Sequence, residues 1–322
     1  MLSHAMFLPQ RKRITLTEVN IFMDVTVNNQ STCIEYDKLR PLGWLADGTK
    51  AENGRIISFP IIPQLNDAIS YSDEIIENGY FYERELCSPV HIGNDIDWHS
   101  FKAHWDRLTV DKYMADGGTY RLRRYSTLFF ESHGMAILKM PYMPLFKSSS
   151  YNSFAGDIFR EFQETESSLF FNPYFLRLLN ESLRVFIACE NQCGRTKQKW
   201  FIEVDQYRIT ADKKQIGKPT PEGIHSDGTN YFSLMLVNRE GISGGVSSLY
   251  DNDLNLKREV TLEYPGDVIM LDDASMMHGV TSLEPLEDHG VRDILHISFT
   301  NLLRPGSVNR RFGFGSADML TI

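Results

Sequence analysis

The sequence has few cysteines, four in 322 residues: Cys33, Cys87, Cys189 and Cys193. Thiols so few and so scattered exclude a small disulfide-scaffolded fold. Cys189 and Cys193 stand as Cys-x3-Cys, a spacing open to metal or redox chemistry, but the plainer reading is two thiols near the end of one helix. Positive charge is also in deficit, 33 Lys and Arg against 42 Asp and Glu, a net charge of −9. That balance argues against a nucleic-acid backbone as partner. No apolar run approaches the roughly eighteen residues needed to cross a bilayer, so no membrane partner is expected. The basic cluster Arg11-Lys12-Arg13 follows the first apolar residues, the reverse of a signal peptide, and a cytoplasmic location is the expectation. Repeats and low-complexity segments are absent too.

What remains is ordinary globular composition, 42% apolar, enough for a substantial core. Residues 1–118 carry no motif with readable chemistry and are expected to pack as an extension on a core of 119–322, the two forming one compact unit. Residues 56–63 read as a short extended stretch stopped by prolines. Leu65 to Asn78 has helical spacing, with Ala68, Ile69, Ile75 and Ile76 as apolar members and Gly79 as its stop. Trp105 to Tyr113 is predicted as another helix, ending before the turn Asp116-Gly117-Gly118. His91, His99 and His104 lack a spacing that would gather them as ligands.

From Thr119 to Phe130 the period changes to two. The face carrying Tyr120, Leu122, Arg124, Ser126, Leu128 and Phe130 is the more apolar and is expected to point inward. Asn172-Pro173 introduces the clearest helix, with Leu176, Leu179, Leu183, Phe186 and Ile187 as its core stripe. Trp200 to Thr210 returns to strand, and Gln206 and Arg208 share the face of Trp200, Ile202 and Val204. Further strands are read at 231–237, 260–264, 268–271 and 292–300, with a loop at Gly244-Gly245 and a turn at Pro265-Gly266-Asp267. The tail after Arg304-Pro305-Gly306 is polar and glycine-rich, either a loop over a site or a frayed end. The fold class is mainly β with flanking helices (α+β).

The chemistry centres on His225 and Asp227. Side chains two apart on an extended strand point the same way, and Gly223 and Gly228 leave the space beside them open. An imidazole and a carboxylate so placed are two-thirds of the two-His-one-carboxylate arrangement that holds iron(II) with three positions free. His278, fifty-one residues beyond Asp227, is the candidate third ligand, and Arg292 stands fourteen residues further on.

In chain order, Pro221-Glu-Gly-Ile-His-Ser-Asp-Gly228, Val237-Asn238-Arg239, Gly244-Gly245, Ser248-Leu249-Tyr250-Asp251, Asp272-Asp273, Met277-His278-Gly279-Val280 and Arg292-Asp293 form one text. It resembles the 2-oxoglutarate/iron(II) oxygenases, and within them the small family typified by bacterial L-isoleucine hydroxylase. The resemblance runs from about Gly118 to about Phe299. It implies a double-stranded β-helix, the antiparallel jelly-roll core of cupin-like proteins. It implies iron(II) on His225, Asp227 and His278, with 2-oxoglutarate as cosubstrate, O2 as oxidant, and ascorbate supporting activity in vitro. The far carboxylate of 2-oxoglutarate is expected on Arg292 through a two-pronged charge-assisted hydrogen bond. The expected reaction is hydroxylation of an aliphatic C–H of a small free amino acid or a derivative.

Other readings stay open. The same chemistry can give desaturation or ring closure, for example an aziridine, and a jelly roll can hold zinc or another metal without catalysis. For the substrate, Glu222 is a candidate for the ammonium group, against its reading as a solvated loop charge. Arg124 or Arg208 is a candidate for the carboxylate, with Gln206 also reaching the cavity. For Arg124 the competing readings are a structural ion pair or a strand facing the other way. Met276 or Leu234 is expected to limit side-chain size. The sequence fixes neither the substrate, the type of oxidation nor the oligomeric state.

Overall fold

The computed structural model describes residues 34–35, 55–56, 65–89, 95–131 and 137–307. Most of the extended stretch expected at 56–63, His91 and the tail beyond Ser307 lie outside these residues. Strand β1 (Ile34–Glu35) pairs with β2 (Arg55–Ile56). Helix α1 (Leu65–Asn78) precedes β3 (Tyr80–Glu83), α2 (Ile96–Lys102), a 3-10 turn at Ala103–Arg107, and β4 (Thr109–Val110). Next come β5 (Arg121–Glu131), β6 (Ile137–Lys139) and, after a long irregular segment, α3 (Pro173–Gln192). The rest is strand: β7 (Lys199–Asp212), β8 (Tyr231–Glu240), β9 (Ile242–Gly244), β10 (Val246–Asp251) and β11 (Leu256–Thr261). The chain ends in β12 (Val268–Asp272), β13 (Met276–Val280), β14 (Leu283–Pro285) and β15 (His289–Asn301).

The larger sheet runs β3-β12-β8-β15-β7-β5-β4 with β6 beside β5, and a smaller one runs β11-β10-β13, with β14 and β9 paired separately. All pairings are antiparallel. Strand order so far from chain order, in two antiparallel sheets, is the jelly roll expected above. Between the sheets Phe232, Leu236, Leu249, Ile269 and Ile294 close one end with apolar packing. The larger sheet's other face carries Leu128, Trp200, Ile202, Val204, Met235 and Leu295 against the buried side of α3.

Helix α3 is built as its sequence demands. The Asn172 side chain accepts from the Tyr174 N–H, and Pro173 fills a first-turn position whose N–H has no helical partner. Leu179, Leu183 and Phe186 are fully buried, with Leu176 and Ile187 partly so. Glu190 is also fully buried, and its carboxylate is tolerated because Arg195, Asn301, Arg304 and the Tyr231 hydroxyl all donate to it. Helix α1 has the expected bounds and Gly79 ends it with a φ of +86°, although Ile76 faces solvent rather than the core. Cys189 and Cys193 carry free thiols at the end of α3.

The helix expected at 105–113 is not there. Trp105 lies in the 3-10 turn, and Thr109–Val110 pairs with Arg123 and Leu122 as an edge strand. The helix that does form nearby is α2, whose cap Asp95 accepts from the Trp98 N–H. No helix among the described residues is long and apolar enough to cross a membrane.

Candidate active site

Strand register decides what faces the space between the sheets. Arg121, Ile209 and Arg292 lie in one row across β5, β7 and β15. The next row is Arg123, Tyr207 and Ile294, and the one after it Tyr125, Asp205 and His296. Residues two apart share a face, so the three rows point together. The first two rows and His296 line an open cavity between the sheets. His278 and Val280 of β13 face it from the smaller sheet, and Lys147, Arg160, Thr220, Glu222, His225 and Asp227 reach it from connecting segments.

His225 and Asp227 meet here, but not on the strand the sequence suggested. Residues 221–230 are irregular, held by a single bridge in which His225 and His278 exchange backbone hydrogen bonds of 2.9 and 2.8 Å. Gly223 and Gly228 take φ values of +84° and +76°, which side chains resist. The buried Asp273 carboxylate fixes this turn by accepting from the N–H groups of Asp227 and Thr229, each at 2.8 Å. The sequence text had carried Asp273 without a role.

His225 Nε2 stands 3.8 Å from Asp227 Oδ1, and His278 Nε2 stands 4.0 Å from Asp227 Oδ2. One ligand atom from each of the three residues lies within 4.8 Å of the others. His225 Nδ1 is 3.0 Å from the Gly223 carbonyl, which can only accept, so Nδ1 carries the proton and the Nε2 lone pair is free for a metal. Burial keeps the His278 pKa well below the usual imidazole value, so its lone pair is also available at neutral pH. Burial opposes ionisation of Asp227, yet the Lys147 ammonium beside it holds its pKa well below the usual carboxylate range. Two neutral imidazoles and an ionised carboxylate fit a divalent first-row metal, iron(II) included. Lys147 pairs with Asp227 Oδ1, and His296 Nε2 lies 3.5 Å from Oδ2.

Arg292 is 2% exposed, and its Nε and Nη2 have no hydrogen-bond partner among the described residues. Burial, and then the neighbouring Arg239, push its pKa down to about 9. A buried guanidinium without a counter-charge is costly unless a ligand supplies one, so Arg292 fits the far carboxylate of 2-oxoglutarate. Gly245 makes room for it: at φ +72° a Cβ there would meet Leu283 at 2.8 Å, Arg239 at 3.0 Å and Arg292 Cδ at 3.4 Å.

Of the proposed substrate contacts, Glu222 lines the cavity, with Oε1 3.5 Å from His225 Nε2 and Oε2 unpartnered. Leu234 lines it as well, whereas Met276 is buried in the apolar end between the sheets. Three contacts need correction. Arg124 points away, donating to the Glu164 and Arg107 carbonyls. Arg208 is clamped by Asp293 and Asp106. Gln206 is fully buried on the face that carries Trp200 and Ile202. In both strands the more apolar face packs toward the helices, and the polar face forms the cavity wall.

Sequence reasoning missed Arg121, Arg123, Tyr207 and His296, all visible as alternation once the faces are exchanged. Lys147 and Arg160 sit in irregular segments without a periodic signal. Asp273→Ala is expected to lower metal affinity about 10–100-fold, the usual effect of losing an outer partner that orients a ligand. Metal retained by the purified variant during dialysis against a graded chelator measures this, and unchanged retention would show that the turn holds itself.

The family model described as 2OG-Fe dioxygenase matches residues 102–298. Among solved structures the chain is similar to a bsmA homolog from Methylobium petroleophilum. That match has 24% identity, covers 76% of this chain and 97% of that one, and has a TM-score of 0.62. It is also similar to IDO from Bacillus thuringiensis, at 17% identity over 76% of this chain and 99% of that one, TM-score 0.62. A third is the Fe(II)/α-ketoglutarate-dependent dioxygenase TqaL, at 16% identity over 74% and 89%, TM-score 0.56. At these identities the likeness is one of fold. The comparison with curated proteins gives no match.

Proposed function

The chain belongs to the 2OG-Fe dioxygenase family, and from that premise we propose that it hydroxylates an aliphatic C–H bond of a small free amino acid. It is an oxidoreductase that uses iron(II), 2-oxoglutarate and O2. In this reading His225, Asp227 and His278 hold the iron, and Arg292 anchors the far carboxylate of 2-oxoglutarate. Iron(II) with 2-oxoglutarate and O2 supplies an oxidant for unactivated C–H bonds, releasing succinate and CO2.

One observation carries the reading: the three-residue donor set and the unpartnered Arg292 guanidinium share one cavity. A structural metal site on a jelly roll has no use for such an anchor. The protein's own work is then positional. The Asp273-held turn fixes two ligands, and the row of Ile209 and Arg292 seats the cosubstrate along β7 and β15. Apolar Leu234 and Ile294 face the cavity for an aliphatic side chain. One methylene there is worth only about 1–3 kcal/mol, so selectivity among Val, Ile and Leu is loose. The amino-acid class is supported by the motif order shared with the isoleucine-hydroxylase type and by the free Glu222 Oε2, an acceptor for an ammonium.

The test is a screen of free amino acids with iron(II), 2-oxoglutarate and ascorbate, following succinate and the mass of the amino acid. A substrate-dependent rise in succinate with a gain of one oxygen is expected. A loss of two hydrogens would replace hydroxylation by desaturation or ring closure. Stimulation only by a peptide or carrier-bound aminoacyl group would overturn the free-amino-acid reading.

A further inference from the structure

We propose that Arg160 is the anchor for the carboxylate of the substrate, in the cavity that Arg292 also lines. The inference rests on the amino-acid reading above and adds the residue that recognises that class. Arg160 is set over β5 by an antiparallel bridge with Leu145, closed by hydrogen bonds of 2.8 and 2.9 Å. It is 2% exposed and lines the cavity. Its Nε has no hydrogen-bond partner, and no carboxylate among the described residues pairs with its guanidinium.

The carboxylates that pair with its neighbours are taken. Arg121 and Arg123 are its neighbours on β5, and the acids of this wall are already engaged. Asp111 is held by Arg121 at 2.8 Å, and Asp205 is held by Arg123. Of these three guanidiniums, Arg160 is the one without a paired carboxylate among the described residues. The nearby Lys147 is paired with Asp227. A buried cation left over in a ligand cavity calls for one anionic group from the ligand. Strand β7 separates β5, which carries Arg121 and Arg123, from β15, which carries Arg292. One cavity thus offers separate places for two anions. The free Glu222 oxygen completes a site for a molecule carrying both a carboxylate and an ammonium.

A structural arginine and a ligand anchor respond differently to removal. Loss of a structural ion pair lowers stability, whereas removing an unpartnered buried charge leaves the melting temperature unchanged or raises it. The experiment uses iron(II)-loaded protein with 2-oxoglutarate, free of oxygen, and calorimetric binding of L-valine, L-leucine, L-isoleucine and L-methionine and of their carboxamides. Wild type should bind at least one acid roughly ten- to a hundred-fold tighter than its amide, the effect of losing charge-assisted hydrogen bonds. Arg160→Gln should lose that preference, melt no lower than wild type, and keep its iron content and its affinity for 2-oxoglutarate; Arg160→Lys should keep part of the preference. A full acid-over-amide preference in Arg160→Gln would overturn the assignment alone, as would weakened 2-oxoglutarate binding or a lowered melting temperature. Failure of wild type to bind any of the four acids would overturn it together with the amino-acid reading.

Discussion

Asp227→Ala is expected to purify without iron and to lose turnover of 2-oxoglutarate, while its circular dichroism matches wild type. The carboxylate lies between the two imidazoles, with one oxygen 3.8 Å from His225 Nε2 and the other 4.0 Å from His278 Nε2. Its removal takes away the one anionic donor and leaves two neutral ones. The loss of metal affinity therefore exceeds the 10–100-fold typical of an outer partner. The fold does not depend on this side chain, because Asp273 holds the turn through the backbone N–H of residue 227. Lys147 loses its counter-charge in the variant but still faces the open cavity. Full iron occupancy in Asp227→Ala would remove the site from this part of the molecule. His225→Ala and His278→Ala are expected to behave alike.

Arg292→Gln should raise the KM for 2-oxoglutarate about ten- to a hundred-fold with iron still bound. A charge-assisted hydrogen bond is worth about 1.5–3 kcal/mol, and each 1.4 kcal/mol is a factor of ten. The sign with pH follows from burial, which brings the guanidinium down to about 9 in the ligand-free protein. Binding needs the charged form, so affinity for 2-oxoglutarate falls as pH rises through about 9. The ligand-free fold gains stability over the same range, because its unfolded chain then binds more protons than the folded one. Steady-state kinetics against 2-oxoglutarate, with melting curves of both proteins, measure both effects. An unchanged KM would move the anchor to the β5 side of the cavity.

The jelly roll and its candidate donor set were legible for specific reasons. Proline and glycine punctuation set off the strands of the second half, and Asn172-Pro173 marked α3 because capping chemistry is local. His225, Asp227 and His278 were readable as a donor set even though the first two sit in a bridged turn and not a strand, because a two-residue separation survives that change. The cavity wall was not readable in the same way. Placing the apolar face of a strand inward assumes one interior, but β5 and β7 have two, a dry layer against α3 and a polar cavity. That second interior is why Arg124, Gln206 and Arg208 were favoured over Arg121, Arg123 and Tyr207. Arg160 and Lys147 arrive from the irregular segment before α3, where only the folded chain defines neighbours. The helix expected from Trp105 to Tyr113 starts inside the 3-10 turn Ala103–Arg107, since the apolar spacing around Trp105 does not separate the two.

The most direct test of a metal and a cosubstrate sharing this cavity is the heat of 2-oxoglutarate binding without oxygen, measured with and without iron(II). The account predicts one site per chain, tighter with iron than without, weakened in Arg292→Gln and insensitive to iron in His278→Ala. Succinate, which has the same far carboxylate but no ketone to meet the metal, should bind weakly and without regard to iron. Equal affinity for 2-oxoglutarate with and without iron(II) would contradict the account.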